Sequence, residues 1–354
     1  MRPFVYDQSA IRVIFGVGVI DRLAEEVQRL PAKRVLVLTT PGQNRLATDA
    51  AGRLGALTAG VYAKAVMHVP IEVARAARDE AKRLEADCCV AVGGGSTIGL
   101  AKAIALELER GLPIVAVPTT YSGSEMTPIY GVTEKGLKRT GRDSKVLPRT
   151  VIYDPALTVS LPPRMAGPSG MNALAHCVEA LYAEDANPIV TLMAAEGIRV
   201  LARFLPAVVR EPANVDCRAE ALYGAWLAGA ALGTTRMSIH HKLCHTLGGT
   251  FNLPHAQVHS VILPHAVAFN REAAGDAMRI AAQALGVGDA AQGAYDLAVR
   301  LGAPTALSDI GMPRDGLDRA AKLAAEGSYP NPRPIEYAGV RQLLENAYHG
   351  MRPV

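Results

Sequence analysis

The chain has 354 residues, enough for two domains with separate cores, and its 49% hydrophobic and 20% charged side chains are the balance of a soluble globular protein. Its 37 basic and 33 acidic residues leave a net charge of +4, which is too even to argue for nucleic acid or an anionic membrane as a partner; a small anionic substrate stays open. The opening MRPFVYDQSA carries no apolar leader, no run approaches the roughly 18 apolar residues of a spanning helix, and the five cysteines form no CxxC pair, so a reduced, cytoplasmic setting is expected.

From residue 11 the apolar runs are short and β-branched. Segments 34–39 (RVLVLT), 88–92 (CCVAV) and 114–118 (IVAVP) read as strands, with 71–86 (IEVARAARDEAKRLEA) as an intervening helix. Such alternation predicts a parallel sheet with helices on both faces, a Rossmann-like dinucleotide-binding α/β domain over 1–160. After the second strand, Gly93, Gly94, Gly95 and Ser96 precede a helix expected from Thr97. Glycines there let the backbone approach a pyrophosphate, and helix amides favour its charge. The pattern is not GxGxxG, and no P-loop lysine follows. A second loop, 118–128 (PTTYSGSEMTP), also follows a strand and offers the hydroxyls of Thr119, Thr120, Ser122 and Ser124. Either loop alone is equally well a tight turn; two at the carboxyl ends of parallel strands mark a nucleotide crevice. The strand 34–39 ends in Thr39 and Thr40 with no carboxylate to repel a 2'-phosphate, so both NADH and NADPH are expected as cofactors.

A Pro- and Gly-rich stretch at 154–170 (DPALTVSLPPRMAGPSG) breaks this pattern. Beyond it strands disappear, and 171–183, 188–205, 218–233, 277–286 and 290–301 all carry a helical period. An all-helical domain is therefore expected over 161–354, with a ligand cleft between the two domains. The window 240–265, HHKLCHTLGGTFNLPHAQVHSVILPH, holds six of the nine histidines, and imidazole is the usual side chain for metal ligation and for proton transfer near neutral pH. His241 and His245 share a helix face, and the Gly-Gly pair and the proline should end that helix before His255. Upstream, MNALAHCVEAL carries Asn172 and His176, also four apart. Convergence of Asn172, His176, His241 and His255 on one point would be one carboxylate short of a metal site.

The segments GGGSTIGLAK, PTTYSGSE, DPALTVSLPP, GMNALAHCVEALY and HHKLCHTLGGTFNLPHA, in this order, resemble the iron-containing, or group III, alcohol dehydrogenase family. The resemblance implies a dehydroquinate synthase-like architecture and a homodimer. In metal-dependent members iron or zinc is held by one Asp and three His, which fall here on Asn172, His176, His241 and His255. His245 matches a histidine beside the nicotinamide, and Lys138 a lysine near the cofactor. Two departures, Asn at 172 and Gly99 for the Asp of GGGSxxDxAK, are joined by the HHKLCH form of the histidine block. These features resemble the metal-independent branch of the family. That branch reduces a carbon–carbon double bond conjugated to a ketone, in a dianionic intermediate of aromatic-compound degradation.

A neutral amide is a poorer ligand for a divalent cation than a carboxylate, so no metal is expected. Hydride addition to a conjugated alkene yields an enolate, which hydrogen-bond donors and a nearby acid can serve without a Lewis acid. On this reading His245 is the proton donor or enolate stabiliser, and His241 and His255 line the pocket and bind carboxylate. Asn172 and His176 complete the substrate site, with Tyr121, Ser122, Arg236 and Lys242 as candidates for the two carboxylates. Thr39, Thr40, Gly93, Gly94, Gly95, Ser96, Thr119, Thr120, Ser124 and Lys138 are assigned to the cofactor, while His240, His259 and His265 are left structural. Three competing readings remain. A metal-dependent alcohol dehydrogenase or aldehyde reductase of the same family is disfavoured by Asn172. A dehydroquinate synthase-like lyase would need a full metal site and a basic phosphate cluster. A non-catalytic nucleotide-binding protein has no use for the retained His245.

Overall fold

The computed structural model describes residues 4–7, 9–108, 111–135 and 137–354. Two compact units emerge, Ser9–Leu161 and Pro162–Val354 with residues 4–7.

The first unit alternates strands and helices: β1 (Arg12–Phe15), α1 (Leu23–Gln28), β2 (Val35–Leu38), α2 (Asn44–Leu54), β3 (Thr58–Tyr62), α3 (Ile71–Arg83), β4 (Cys88–Gly93), α4 (Gly95–Glu107) and β5 (Ile114–Pro118). An antiparallel hairpin of β6 (Ile129–Glu134) and β7 (Leu137–Arg142) follows, and β8 (Thr150–Tyr153) completes the unit. Six strands form one sheet in the order β1-β8-β5-β4-β2-β3, with every neighbour parallel. The central strands are buried from end to end, which is why β2 and β4 read as unbroken apolar runs. On one face Val35, Val37, Val90, Val92, Val115 and Val117 alternate inward and pack on Leu23 and Val27 of α1 and on Ala47, Ala50 and Leu54 of α2.

Among its described residues the second unit has helices and no strand: α5 (Pro163–Tyr182), α6 (Pro188–Arg210), α7 (Val215–Thr234), α8 (Ile239–Phe251), α9 (His255–Asn270), α10 (Gly275–Leu285), α11 (Ala290–Arg300), α12 (Leu317–Ala325) and α13 (Tyr337–Tyr348). Ile239, Leu243 and Leu247 of α8 and Val258, Val261 and Ile262 of α9 share a core with Leu343 and Leu344 of α13. Among the described residues no helix is long and apolar enough to cross a membrane.

Three local expectations are corrected. Helix α4 begins at Gly95 rather than Thr97, directly after an extended Gly94. The helix expected over 171–183 starts earlier, inside the Pro- and Gly-rich stretch: after a 3-10 turn over Pro155–Ser160, α5 runs from Pro163, where proline is tolerated in the first turn, and continues through Pro168. Packing overrides local composition here, since an added Cβ at Gly170 would lie 2.3 Å from Leu205 Cδ2 of α6. Gly248 and Gly249 lie inside α8, which stops instead at Asn252 in the left-handed conformation (φ 53°, ψ 33°), just before Pro254.

Helices α6 and α7 approach closely at Gly197 and Gly224, where a Cβ on Gly224 would meet Leu201 Cγ at 2.8 Å and Gly197 O at 3.5 Å. Gly224→Val should therefore overpack the crossing and destabilise the fold by about 1–3 kcal/mol. Gly52, exposed in α2 with open space around it, should behave oppositely, Gly52→Ala adding about 0.5–1 kcal/mol. Thermal unfolding of the two variants checks this, and equal effects would show the α6–α7 contact to be looser than described.

Candidate active site

The nucleotide loops are set by strand register. Gly93 and Pro118 are paired neighbours at the carboxyl ends of β4 and β5, so the two loops leave side by side, and Thr119 N donates to Gly93 O at 3.1 Å. An added Cβ would lie 2.4 Å from Thr97 Oγ1 at Gly93 and 2.8 Å from Thr120 Cγ2 at Gly94. Glycine is thus what lets the loops close on each other while the start of α4 offers its amides to an anion. Ser96, Thr120, Ser122, Ser124 and Thr40 are partly exposed. Thr39 is not available as expected: it is buried and its hydroxyl donates to Val92 O at 2.8 Å. Thr119 is likewise buried, accepting from Gln43 Nε2 at 2.9 Å. Lys138 lies on β7 and crosses the hairpin to Gly131, whose added Cβ would be 2.9 Å from its Cε. The Asp position of the family motif, Gly99, packs on Val69, whose Cγ2 would be 2.9 Å from a Cβ there.

Lys102 and Glu125, which pattern reading missed, hold the second loop. The Lys102 ammonium, fully buried in α4, donates to Ser124 O (2.6 Å), Ile129 O (2.7 Å), Thr127 O (2.8 Å) and Thr127 Oγ1 (3.0 Å). Burial lowers its pKa to about 7, opposed by the charge of Glu125. Burial also pushes the Glu125 carboxyl up, while Tyr153 Oη and Ser122 Oγ donate to it at 2.9 and 3.2 Å. Tyr121, beside them, is fully buried. The available signal was a lysine in an otherwise apolar helix, GSTIGLAKAIALE.

In the helical unit six histidines form one continuous cluster: His176 of α5, His240, His241 and His245 of α8, and His255 and His259 of α9, with successive ring centroids 4.5–6.2 Å apart. Its organiser is Glu179, one helical turn beyond His176 and fully buried. The carboxylate accepts the backbone N–H of Ser238 (3.1 Å) and His240 (2.8 Å) at the start of α8, Tyr182 Oη–H (3.3 Å) and His241 Nδ1 (2.6 Å). His241 Nε2 in turn meets His176 Nδ1 at 2.7 Å. Both ring nitrogens of His241 are therefore engaged internally, which removes the carboxylate-binding role expected of it. The acid that pattern reading found wanting is present, attached to His241 rather than standing at position 172.

Behind this chain His240 Nε2 and His259 Nδ1 lie 2.9 Å apart, with Cys244 Sγ 3.5 Å from His240 Nε2. The donors suit a soft cation, but among the described residues His240 Nδ1 and His259 Nε2 have no hydrogen-bond partner. Metal-ligating imidazoles almost always donate from the far nitrogen, so this is better described as a neutral hydrogen-bonded pair in the core. Two other expectations are corrected. Arg236 is exposed and paired with Glu184, and Lys242 Nζ rests over the Tyr329 ring at 5.8 Å. Both serve local packing.

Sequence comparison decides the family. The family model for iron-containing alcohol dehydrogenase matches residues 10–155, and that for the Fe-containing alcohol dehydrogenase family, C-terminal, matches 167–348. The chain belongs to the iron-containing alcohol dehydrogenase family. Among its relatives, the maleylacetate reductase of Burkholderia cepacia is 56% identical over 353 residues, covering all of both chains. The crystal structures of maleylacetate reductase from Agrobacterium tumefaciens and from Rhizobium sp. strain MTP-10005 each superpose with a TM-score of 0.93 at 49% identity, again over both full chains.

Iron-containing alcohol dehydrogenases take their name from a metal, and the residues that the resemblance assigns to it here form an uncharged donor set. Asn172, His176, His241 and His255 contain no anion. The facing nitrogens of His176 and His241 are 2.7 Å apart, whereas two imidazoles on one tetrahedral zinc stand about 3.3 Å apart, given bonds of about 2.0–2.1 Å.

Burial holds His240 and His259 well below their ordinary pKa and His265 at about 4. Unfolded, all three titrate near 6.5. Between pH 6.5 and 4 the unfolded chain therefore binds more protons, and stability is lost as pH falls, by up to about 1.4 kcal/mol per pH unit for each group. The melting temperature should drop steeply from pH 6.5 to 5 and less steeply in His265→Gln. A flat profile over that window would contradict neutral burial of these rings.

Proposed function

We propose that this chain reduces the conjugated carbon–carbon double bond of maleylacetate to give 3-oxoadipate, using NADH or NADPH. The observation that carries the reading is the full-length identity of about half with maleylacetate reductases, joined by the change of donor chemistry at Asn172. A bound nicotinamide would supply a hydride to the alkene carbon β to the ketone; the π electrons would shift onto the ketone oxygen, and residues of this chain would stabilise that enolate and return a proton to its α carbon. Such a sequence asks the protein for hydrogen-bond donors and one acid.

His245 and His255, both partly exposed, supply these in our reading. His245 lies one turn beyond His241 on α8 and serves as acid or enolate donor. His255 is the first residue of α9, where helix amides and dipole favour a substrate carboxylate. Use of both cofactors is supported by the absence of an acid at Thr39, Thr40 and in the first turn of α2. Metal independence is supported by the uncharged donor set and the closed His176–His241 contact. A cytoplasmic homodimer completes the proposal. Among the described residues the five cysteines, four buried and one half-buried, form no disulfide, which supports the compartment, and family resemblance alone supports the dimer.

Purified protein should oxidise NADH and NADPH in the presence of maleylacetate, and should stay active after exhaustive chelation. Loss of activity on chelation, restored by Fe or Zn, would overturn the metal-free part. Inactivity towards maleylacetate beside activity on simple aldehydes would overturn the substrate.

His245→Ala should lower kcat by on the order of a hundredfold to ten-thousandfold with little change in cofactor Kd, as expected for a positioned acid or donor. His255→Ala should mainly raise KM for the dianion. Steady-state kinetics with separate cofactor titrations distinguish the two, and near-wild-type turnover in His245→Ala would remove His245 from the reaction.

A further inference from the structure

We propose that Glu179 is a positioning residue that fixes the direction of the hydrogen-bond chain running from it through His241 to His176. An ionised carboxylate only accepts, and each Glu179 oxygen faces a backbone N–H that cannot reverse: Ser238 at Oε2 (3.1 Å) and His240 at Oε1 (2.8 Å). Those two amides orient the acid. His241 Nδ1, 2.6 Å from Oε2, must then carry its hydrogen towards the acid. In the neutral ring this leaves His241 Nε2 as a lone pair, and His176 Nδ1, 2.7 Å away, has to donate to it. His176 is thereby set as the Nδ1–H tautomer, with its acceptor nitrogen at Nε2. Two backbone amides at the start of α8 so determine the tautomers of two imidazoles, one of them on another helix.

The arrangement gives the cluster a division of labour. His241 has no N–H to offer a substrate, so the donor tasks of the reaction pass to other rings, with His245 first. An amide at position 179 cannot reproduce the pattern, because whichever oxygen its NH2 group replaces, it meets the N–H of Ser238 or His240. The rate arm of the test rests on the function proposed above; the tautomer arm does not.

Full-length enzyme labelled with 15N-histidine should show His176 and His241 each as a single Nδ1–H tautomer. In Glu179→Gln that single pattern should be lost. Turnover of maleylacetate should also fall, by about ten- to a hundredfold, the range seen when the partner orienting a metal-bound imidazole is removed, with the NADH Kd within about threefold of wild type. Glu179→Asp, which keeps an acceptor-only group, should retain the tautomers and recover much of the turnover. His241 protonated at Nε2 in the wild type would overturn the proposal. So would wild-type turnover in Glu179→Gln, or lowered melting temperature and turnover with unchanged tautomers, which would make Glu179 a structural anchor only. If Glu179→Gln does not fold, the wild-type spectrum and Glu179→Asp still decide. If the wild-type enzyme does not reduce maleylacetate, the functional reading is what fails, and the tautomers are judged separately.

Discussion

One buried carboxylate holds the histidine cluster in register. Removing an ion such as Glu179 from water costs several kcal/mol even after relaxation, and the protein offsets this with four donors: two backbone amides, a phenol and an imidazole. Hydrogen bonds to a charged group contribute about 1.5–3 kcal/mol each, and the first turn of α8 adds its dipole. The same contacts tie α5 to α8. His176 and His241 therefore meet through a fixed hydrogen-bonded path rather than through apolar packing alone.

This location of negative charge bears on the chemistry the cluster favours. A metal centre of the family type gathers anionic and imidazole donors around a cation. Here position 172 contributes a neutral amide, and the nearby acid is committed to an imidazole N–H and two backbone amides. The histidines are consequently organised by hydrogen bonds among themselves, in the chain through His241 and in the pair of His240 and His259. Rings held in defined tautomers suit proton and hydrogen-bond chemistry at an enolate, which is the need of a conjugate reduction.

Much of the architecture was legible because it rests on local signals. Unbroken β-branched runs marked the buried parallel strands, glycines at strand ends marked the two loops, and the spacing of Asn172, His176, His241 and His245 marked helix faces. What escaped depends on partners distant in sequence. Glu179 and Lys102 each look like an anomalous charge in an apolar helix until the chain brings Ser238 and His240 to one, and Ser124, Thr127 and Ile129 to the other. Helix limits failed for a related reason. Pro168 and Gly170, and the pair Gly248 and Gly249, are breakers by composition, yet each lies in a helix whose neighbours pack against it. Thr39 and Thr119 were legible as hydroxyls at strand ends, but only the sheet geometry reveals that their side chains bond within the fold.

The two anomalous charges are complementary solutions to one problem. Glu179, an acceptor, collects backbone N–H groups at the start of a helix; Lys102, a donor, collects backbone carbonyls along an irregular turn. Each thereby satisfies main-chain groups that regular secondary structure leaves unpaired. Each also fixes a segment bearing candidate site residues, the histidine helix in one unit and the loop of Tyr121 to Ser124 in the other. A buried charge satisfied chiefly by main chain positions a backbone, and side chains of ordinary type on that backbone inherit a defined geometry. The unusual residues of this fold therefore do their work one step behind the chemistry.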